Sequence, residues 1–409
     1  MAERPSLLAV DDALDAIASA LTPTDPVMTP VAEARGGVLA APIRAVLDHP
    51  PAAVSAMDGY AARAADLGSF PVTLQQIGES AAGHPWTGTI GPGECIRIFT
   101  GATCPDTADT IILQEDTTAA GDQITIQEAP PPGRFIRPQG QDFRQGQTLF
   151  EAGTMINARN LALIGSSGHG EVSLRRRPVV AIISTGDELV EPGTTPKEGQ
   201  IISSNGIFLH HLVAALGGEP MPLGIIPDRD EALDAAFEKA LEADLIVTSG
   251  GASVGTHDGV ANRMQHDSDL AFWRIAMRPG KPLLFGHIGK AGQRTPLLGL
   301  PGNPVSTGVC GMIFVAAAIR RLLGQNHLPQ YRHAVLAAPL PENDRRQDFL
   351  RATLTYGDDG RLQAEAFSKQ DSGMLSVFAR ADALIMRPAH ATAAKAGDSV
   401  PILILPEMV

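Results

Sequence analysis

The chain has 409 residues, 44% of them hydrophobic, enough for ordinary folded cores and for roughly two to four domains. With 32 Lys and Arg against 45 Asp and Glu and no basic block, it lacks the broad positive face of a nucleic-acid-binding protein. Its three cysteines, Cys95, Cys104 and Cys310, form no CxxC pair, which argues against a zinc or disulfide framework and fits a reducing compartment.

The first stretch, MAERPSLLAVDDALDAIASAL, holds four acidic residues and no long apolar core, unlike a signal peptide. Apolar residues at helical spacing predict a helix over Leu7–Leu21, ended by TPTDP. From Val31 to Ile126 the chain is rich in Val, Ile, Thr, Gly and Pro, and PVTLQQIG, CIRIFTG and TIILQED read as strands. APPPG, from Ala129, marks a turn or boundary. NARNLALIGSSG then predicts a short helix capped by Asn157.

The character changes at RRRPVVAIISTGDELVEPG, where a buried-type strand runs into a glycine turn. A well-punctuated helix follows in SSNGIFLHHLVAALGG. The strand MPLGIIP, the helix DEALDAAFEKALE, the strand DLIVTS and the segment LLGLPGNPVSTGVCGMIFVAAAIRRLLG continue the alternation. Alternating strands and helices imply a parallel sheet covered by helices. The apolar run VCGMIFVAAAI is shorter than the ~20 residues that span a bilayer, so a soluble, cytoplasmic protein is expected. After Gly324, the runs YRHAVLAAPL, FLRATLTYG, RLQAEAF, ALIMRP and VPILILP predict a small all-β C-terminal domain.

Ligands of parallel sheets bind beyond the carboxyl ends of the strands. Three segments belong there: STGDEL (Ser184–Leu189), TSGGASVGTHD (Thr248–Asp258) and LPGNPVS (Leu300–Ser306). A tight βα turn accounts for any one of them. Together they suggest backbone N–H groups arranged for an anion such as phosphate. No GxxxxGK[ST] loop is present, and GSSGHG at Gly165 follows no convincing strand.

Asp187, Glu188, Asp228 and Asp258 lie at these strand ends. Singly they read as caps or solvated charges; brought together they would call for a divalent cation, and all-oxygen ligation favours Mg²⁺. His257, four residues after Ser253, reads as a loop residue, since a hydrolase triad needs a third group that the spacing does not supply. In FWRIAMRPGKPLLFG, Arg274, Arg278 and Lys281 are candidates to neutralise ligand phosphates, with surface solvation as the alternative.

SAMDGYA (Ser55–Ala61), RIFTGA (Arg97–Ala102), RPQGQDFRQG (Arg137–Gly146), STGDEL, SSNG, GIIPDRDE, TSGGASVGTHD, FWRIAMRPGKP, LPGNPVS and SGMLS (Ser372–Ser376) occur in this order. Together they resemble the MoeA family of molybdopterin molybdenumtransferases, which is related to the gephyrin E domain. Three of the motifs also resemble the smaller molybdopterin-binding proteins that adenylate the cofactor; SAMDGYA and RIFTGA belong to the longer family. The resemblance implies a multidomain α/β plus β architecture. It has an N-terminal helix (1–26), an elongated linking domain (27–45 and 146–176), a β-rich insert (46–145), a parallel-sheet α/β molybdopterin-binding domain (177–326) and a C-terminal β domain (327–409).

It further implies a homodimer that inserts molybdenum from molybdate into molybdopterin adenylate, releasing AMP in a Mg²⁺-dependent reaction. Transient contacts with the molybdopterin adenylyltransferase and with cofactor-accepting enzymes are implied as well, and no nucleic acid or membrane. Catalytic roles fall to Glu188, Asp228 and Asp258, which would also hold the metal, and to Asp58, Thr100 and Asp142, reaching in from the partner subunit. Substrate binding falls to Ser184, Gly186, Ser249, Gly250, Gly251, Ser253 and Gly255, then to Arg274, Arg278 and Lys281. It also falls to Pro301, Gly302, Asn303, Ser306, Arg351 and Ser372.

The chain departs from the family pattern in a few places. Arg274 and Arg278 stand where lysine is common, Gln141 gives GQD for GED, and Val54 replaces an asparagine. Two other functions share these features: a scaffold that tethers partners through its dimer surface, and a pterin adenylyltransferase. The matched carboxylates and the absence of a long linker favour catalysis over the scaffold. A dedicated adenylyltransferase would be shorter and lack the region around SAMDGYA.

Overall fold

A computed structural model describes residues 7–251, 260, 269–290 and 293–405. The chain divides into two compact units, one of Met28–Arg35 and Ala41–Ser173, the other of Met1–Val27, Gly36–Ala40 and Leu174–Val409. The helix expected near the N-terminus runs Val10–Ala20 (α1) and buries Val10, Ala13, Leu14, Ile17 and Ala18 along one stripe.

The smaller unit is built on a six-stranded sheet. Its strands are Gly59–Ala62 (β1), Val72–Ser80 (β2), Glu94–Ile98 (β3), Thr110–Leu113 (β4), Thr117–Ala120 (β5) and Gln123–Ile126 (β6), in the order β4-β1-β3-β2-β6-β5. The three runs read as strands are β2, β3 and β4. Successive side chains point to opposite faces, and both faces are buried. Ala61, Ile96, Ile98 and Ile111 pack into one cluster, and Tyr60, Ala62, Cys95 and Ile112 into the other. The helix Ala158–Ser166 (α2) starts at Asn157, whose side chain accepts from the N–H groups of Arg159 and Asn160. Asn160 returns the bond to the Asn157 N–H, closing a reciprocal cap.

The larger unit holds the alternating segments. Val179–Thr185 (β7), Asn205–Ala215 (α3), Glu219–Ile226 (β8), Asp230–Ala240 (α4) and Leu245–Ser249 (β9) follow in turn. After them come Asp269–Trp273 (β10), Leu284–Lys290 (β11), Gln293–Leu300 (β12) and the continuous helix Pro304–Leu322 (α5). The sheet order is β8-β7-β9-β12-β11-β10. Its first four strands are parallel, as the alternation predicts. β11 and β10 join antiparallel, because the link between β11 and β12 is too short for a parallel crossover.

β7 shows why its sequence is continuously apolar. Val180 and Ile182 pack on the side of α1, α3 and α5, while Ala181 and Ile183 pack on the side of α4. α5 is long and apolar enough to cross a membrane, but 89% of its apolar window is buried inside this core.

Arg332–Leu336 (β13), Gln347–Tyr356 (β14), Leu362–Ala366 (β15), Ala383–Arg387 (β16) and Ser399–Ile404 (β17) form the C-terminal sheet, with one helical turn at Leu375–Phe378 (α6). Met277 and Arg278, from the turn after β10, pair in parallel with Gln347 and Asp348 of β14. The RPGKP turn is thereby stitched to this sheet.

All three cysteines are free and buried. Burial pushes the Cys95 thiol up to about 12 and Cys104 to about 11, and raises Cys310 as well. Thiolate is the reactive form. A thiol-titrating reagent in mildly alkaline buffer is therefore expected to find none of the three in the folded chain and all three in guanidinium. Rapid labelling of the native protein would contradict this packing.

Candidate active site

In the larger unit β7, β9 and β12 end level with one another. Ser184 is the register partner of Ser249, and Ser249 of Leu300. The three loops beyond them surround a cavity of about 560 Å³. Of the residues named as site candidates from the sequence, Ser184, Gly186, Glu188, Asp228, Ser249, Gly250, Gly251, Pro301, Gly302 and Asn303 line it. The starts of α3 (Ser204, Asn205) and α5 (Asn303, Pro304) line it too. Helix N-termini present a positive dipole end, favourable to an anion.

Close backbone approach explains the small residues. Gly250 has φ +95°, and a Cβ there would lie 2.4 Å from the Thr185 carbonyl oxygen. Gly186 has φ +148°, and a Cβ would meet the Glu188 carboxylate at 2.6–2.8 Å. The glycines thus let two loops touch and make room for a carboxylate over its own turn. Thr185 Oγ1 is buried without a hydrogen-bond partner among the described residues. A buried polar atom of that kind favours an oxygen-rich ligand.

Asn205 joins the loops. Its Nδ2 donates to Ser249 Oγ at 2.7 Å and to the Gly302 carbonyl at 2.7 Å. In sequence the SSNG stretch reads as a helix start, yet Ser204 makes no side-chain cap bond and Asn205 bridges two loops instead. Nothing in the local pattern separates these uses. Thr185 lies within the STGDEL segment without standing out in the sequence as a site residue; the structure makes it the last residue of β7.

Glu188 and Asp228 are exposed carboxylates on the cavity wall. The Asp228 N–H donates to Asp187 Oδ1 at 3.1 Å. Among the described residues no three acidic, histidine or cysteine side chains converge on one metal position. Two carboxylates still fit Mg²⁺, which is commonly held by one or two together with substrate phosphates. Asp258, with Ser253, Gly255 and His257, lies outside the described residues.

Several predicted binding residues stand away from the cavity. Arg278 does not face it: its guanidinium forks onto the buried Asp348, donating from Nε at 2.7 Å and from Nη2. That hydrogen bonding, with the Asp348 and Asp344 charges, raises its pKa further. Arg351 is 1% exposed and donates to the Asp371 carbonyl at 3.1 Å. Next to it, Ser372 accepts from Asn303 Nδ2 and from the Val305 N–H, both at 3.2 Å. Arg351 and Ser372 therefore brace the LPGNP loop from behind. Ser306 is buried. Arg274 has φ +91° and binds the chain before α1 through its carbonyl. Lys281 is exposed beside Pro282, a cavity residue.

In the smaller unit Asp58 and Thr100, predicted separately, form one pair. The Thr100 N–H (2.7 Å) and Oγ1 (2.8 Å) both donate to Asp58 Oδ1. These bonds, aided by the Arg97 charge, hold the Asp58 carboxyl below the usual aspartate range. Arg97 lies 5.0 Å from the Tyr60 ring centre and 5.1 Å from that of Phe99. Asp142 is exposed, on a turn whose N–H donates to the His49 carbonyl.

Comparison with known proteins covers the chain in three matched regions. Residues 8–168 match the MoeA N-terminal region (domains I and II), 181–321 a probable molybdopterin-binding domain, and 333–405 the MoeA C-terminal region (domain IV). The molybdopterin molybdenumtransferase of Haemophilus influenzae is 35% identical over 374 residues, covering 90% of this chain and 91% of that protein. The chain belongs to the MoeA family. It is an enzyme of molybdenum cofactor biosynthesis, as that family is. The Nostoc sp. molybdopterin molybdenumtransferase is 36% identical over 382 residues, 91% of this chain and 87% of its own. A solved MoeA structure from Pyrococcus horikoshii, 29% identical, covers 98% of this chain and all of its own with a TM-score of 0.83.

A direct check concerns the Asp58 pair. Because its folded pKa is depressed, the Thr100 bonds persist above the ordinary aspartate range and are lost as pH falls through the lowered value. Thr100→Val is expected to move the Asp58 carboxyl titration upward, read by carboxyl-carbon NMR with Asp58→Asn as the assignment control. An unchanged midpoint would remove the Thr100 hydroxyl as a cause, since valine keeps the backbone N–H bond, the larger of the two.

Proposed function

We propose that the chain is a molybdopterin molybdenumtransferase that takes molybdate and molybdopterin adenylate to molybdenum cofactor and AMP, with Mg²⁺ as its cation. The observation that carries this reading is the cavity at the three strand ends. Glycine backbone, hydroxyls and two helix starts line one part of it, and Glu188 and Asp228 another. In a chain of net charge −13, such local donors are what would draw in an anionic substrate.

Ser184 and Ser249 would orient the phosphates, with Ser249 fixed by Asn205. Glu188 and Asp228, together with Asp258, would hold Mg²⁺. When bound, the ion would neutralise charge developing on the phosphoryl oxygens as the phosphoanhydride breaks. A water oxygen would attack the phosphorus as the bridging P–O bond breaks and AMP leaves. The dithiolene sulfurs would then bind molybdenum in place of molybdate oxygen, which departs as water with the thiol protons. In the proposed homodimer Asp58, Thr100 and Asp142 of one subunit serve the cavity of the other. A carboxyl held as firmly ionised as Asp58 suits orienting a donor or a cation better than accepting a proton. A cytoplasmic location, with transient hand-over contacts to the adenylyltransferase and to acceptor enzymes, completes the reading.

The test is a single-turnover reaction of purified protein with molybdopterin adenylate, Mg²⁺ and molybdate, following AMP. AMP release dependent on molybdate is expected. Glu188→Gln should slow it on the order of a hundredfold, the scale for removing one charge-stabilising group, while the adenylate still binds. Tight adenylate binding by the unaltered protein with no AMP under any divalent cation would point instead to a carrier.

A further inference from the structure

In the smaller unit, the sheet end that carries Asp58 and Thr100 also carries an arginine without a part in the reaction proposed above. Arg97, in β3, is the register partner of Tyr60 in β1. Its guanidinium lies over the rings of both Tyr60 and Phe99, and its Nη2 donates to Gln114 Oε1. Two rings and an amide thus hold a long charged side chain that would otherwise sample many rotamers.

Gln114 leads back to the carboxylate. Its N–H donates to the Asp58 carbonyl at 3.2 Å. The approach is this close because residue 59 is glycine: a Cβ there would stand 1.8 Å from the Ile112 carbonyl oxygen and 3.2 Å from the Gln114 nitrogen. On the other side, the two Thr100 donors hold Asp58 Oδ1. Among the described residues nothing donates to Oδ2. Asp58 is fixed at its carbonyl and at one carboxylate oxygen, and the other oxygen is left to work.

We infer that Arg97 is a positioning residue of the reaction, holding Asp58 through Gln114 and by its own charge so that Oδ2 keeps one direction. The inference rests on the reading that Asp58 serves the transfer. A carboxylate tied only at the chain turns freely about its last bond. With Oδ1 on Thr100 and the backbone on Gln114, Oδ2 is aimed before the substrate arrives, so that ordering is not left to the reaction step. The Arg97 charge also favours the ionised form of Asp58. An ionised carboxylate only accepts, so Oδ2 is suited to a water, an N–H group or a cation.

The experiment follows single-turnover AMP release by the full chain with molybdopterin adenylate, Mg²⁺ and molybdate. It compares the unaltered protein with Arg97→Gln, Arg97→Lys, Asp58→Asn and the double variant carrying Arg97→Gln and Asp58→Asn. Arg97→Gln should slow release about tenfold at saturation, the scale of one hydrogen bond to a charged group, with half-saturating substrate concentrations unchanged. In the Asp58→Asn background the same change should cost less than about twofold, because the two residues act as one unit. By carboxyl-carbon NMR the Asp58 midpoint should rise in Arg97→Gln and stay in place in Arg97→Lys. A loss that persists in the Asp58→Asn background, or that appears as weaker affinity for adenylate or molybdate, would mean that Arg97 meets an anionic substrate itself, and overturns the inference. So does an unmoved rate or an unmoved midpoint in Arg97→Gln. Unchanged release in Asp58→Asn alone would bring down the reading of Asp58, and no release by the unaltered protein the transferase reading; this inference falls with either.

Discussion

Everything at the site depends on three parallel strands ending at one level. Ser184, Ser249 and Leu300 are successive register partners across β7, β9 and β12, so the loops after them start from a common line. Parallel pairing alone does not hold loops together once the ladder stops. Asn205 supplies the missing tie, bonding one loop through Ser249 Oγ and the other through the Gly302 carbonyl. A single amide at the start of α3 thus sets the spacing of two cavity walls.

A second layer of support comes from the C-terminal sheet. Arg351 holds the Asp371 carbonyl, Ser372 holds Asn303 and the Val305 N–H, and Arg278 pins the RPGKP turn to Asp348. Buried or bidentate arginines suit this work, because the planar fork fixes direction as well as charge. That gives a physical meaning to arginine at position 278: a lysine could not fork onto both Asp348 oxygens. The cationic residues expected around the ligand are thus partly spent on bracing, which leaves the glycine backbone and the helix starts as the main anion-facing features.

Much of this was legible in the sequence, for local reasons. Period-two and continuous apolar runs marked the strands, Asn157 marked a helix start, and the glycine-rich stretches marked where the strands of the larger unit end. Those signals lie within a few residues of what they specify. What stayed hidden depends on distant partners. Arg278 and Asp348 are 70 residues apart, and nothing near RPGKP reveals whether its cations meet a ligand or a carboxylate. Arg351 is a binding candidate only through the family resemblance, and nothing in FLRATLTYG tells that its guanidinium is buried on the Asp371 carbonyl. Asn205 does open α3, as SSNG predicts, but its second use as the tie between Ser249 and Gly302 depends on partners 44 and 97 residues away. β10 and β11 lie outside the alternating segments, and nothing local to FWRIAMRPGKPLLFG announces their antiparallel pairing.

The most direct test of the central claim is a crystal structure of the full chain with AMP bound. The account predicts the phosphate in the cavity at the ends of β7, β9 and β12, against Ser249, Gly251 and Gly302. Well-ordered AMP elsewhere on the chain, with that cavity holding only solvent, would contradict it.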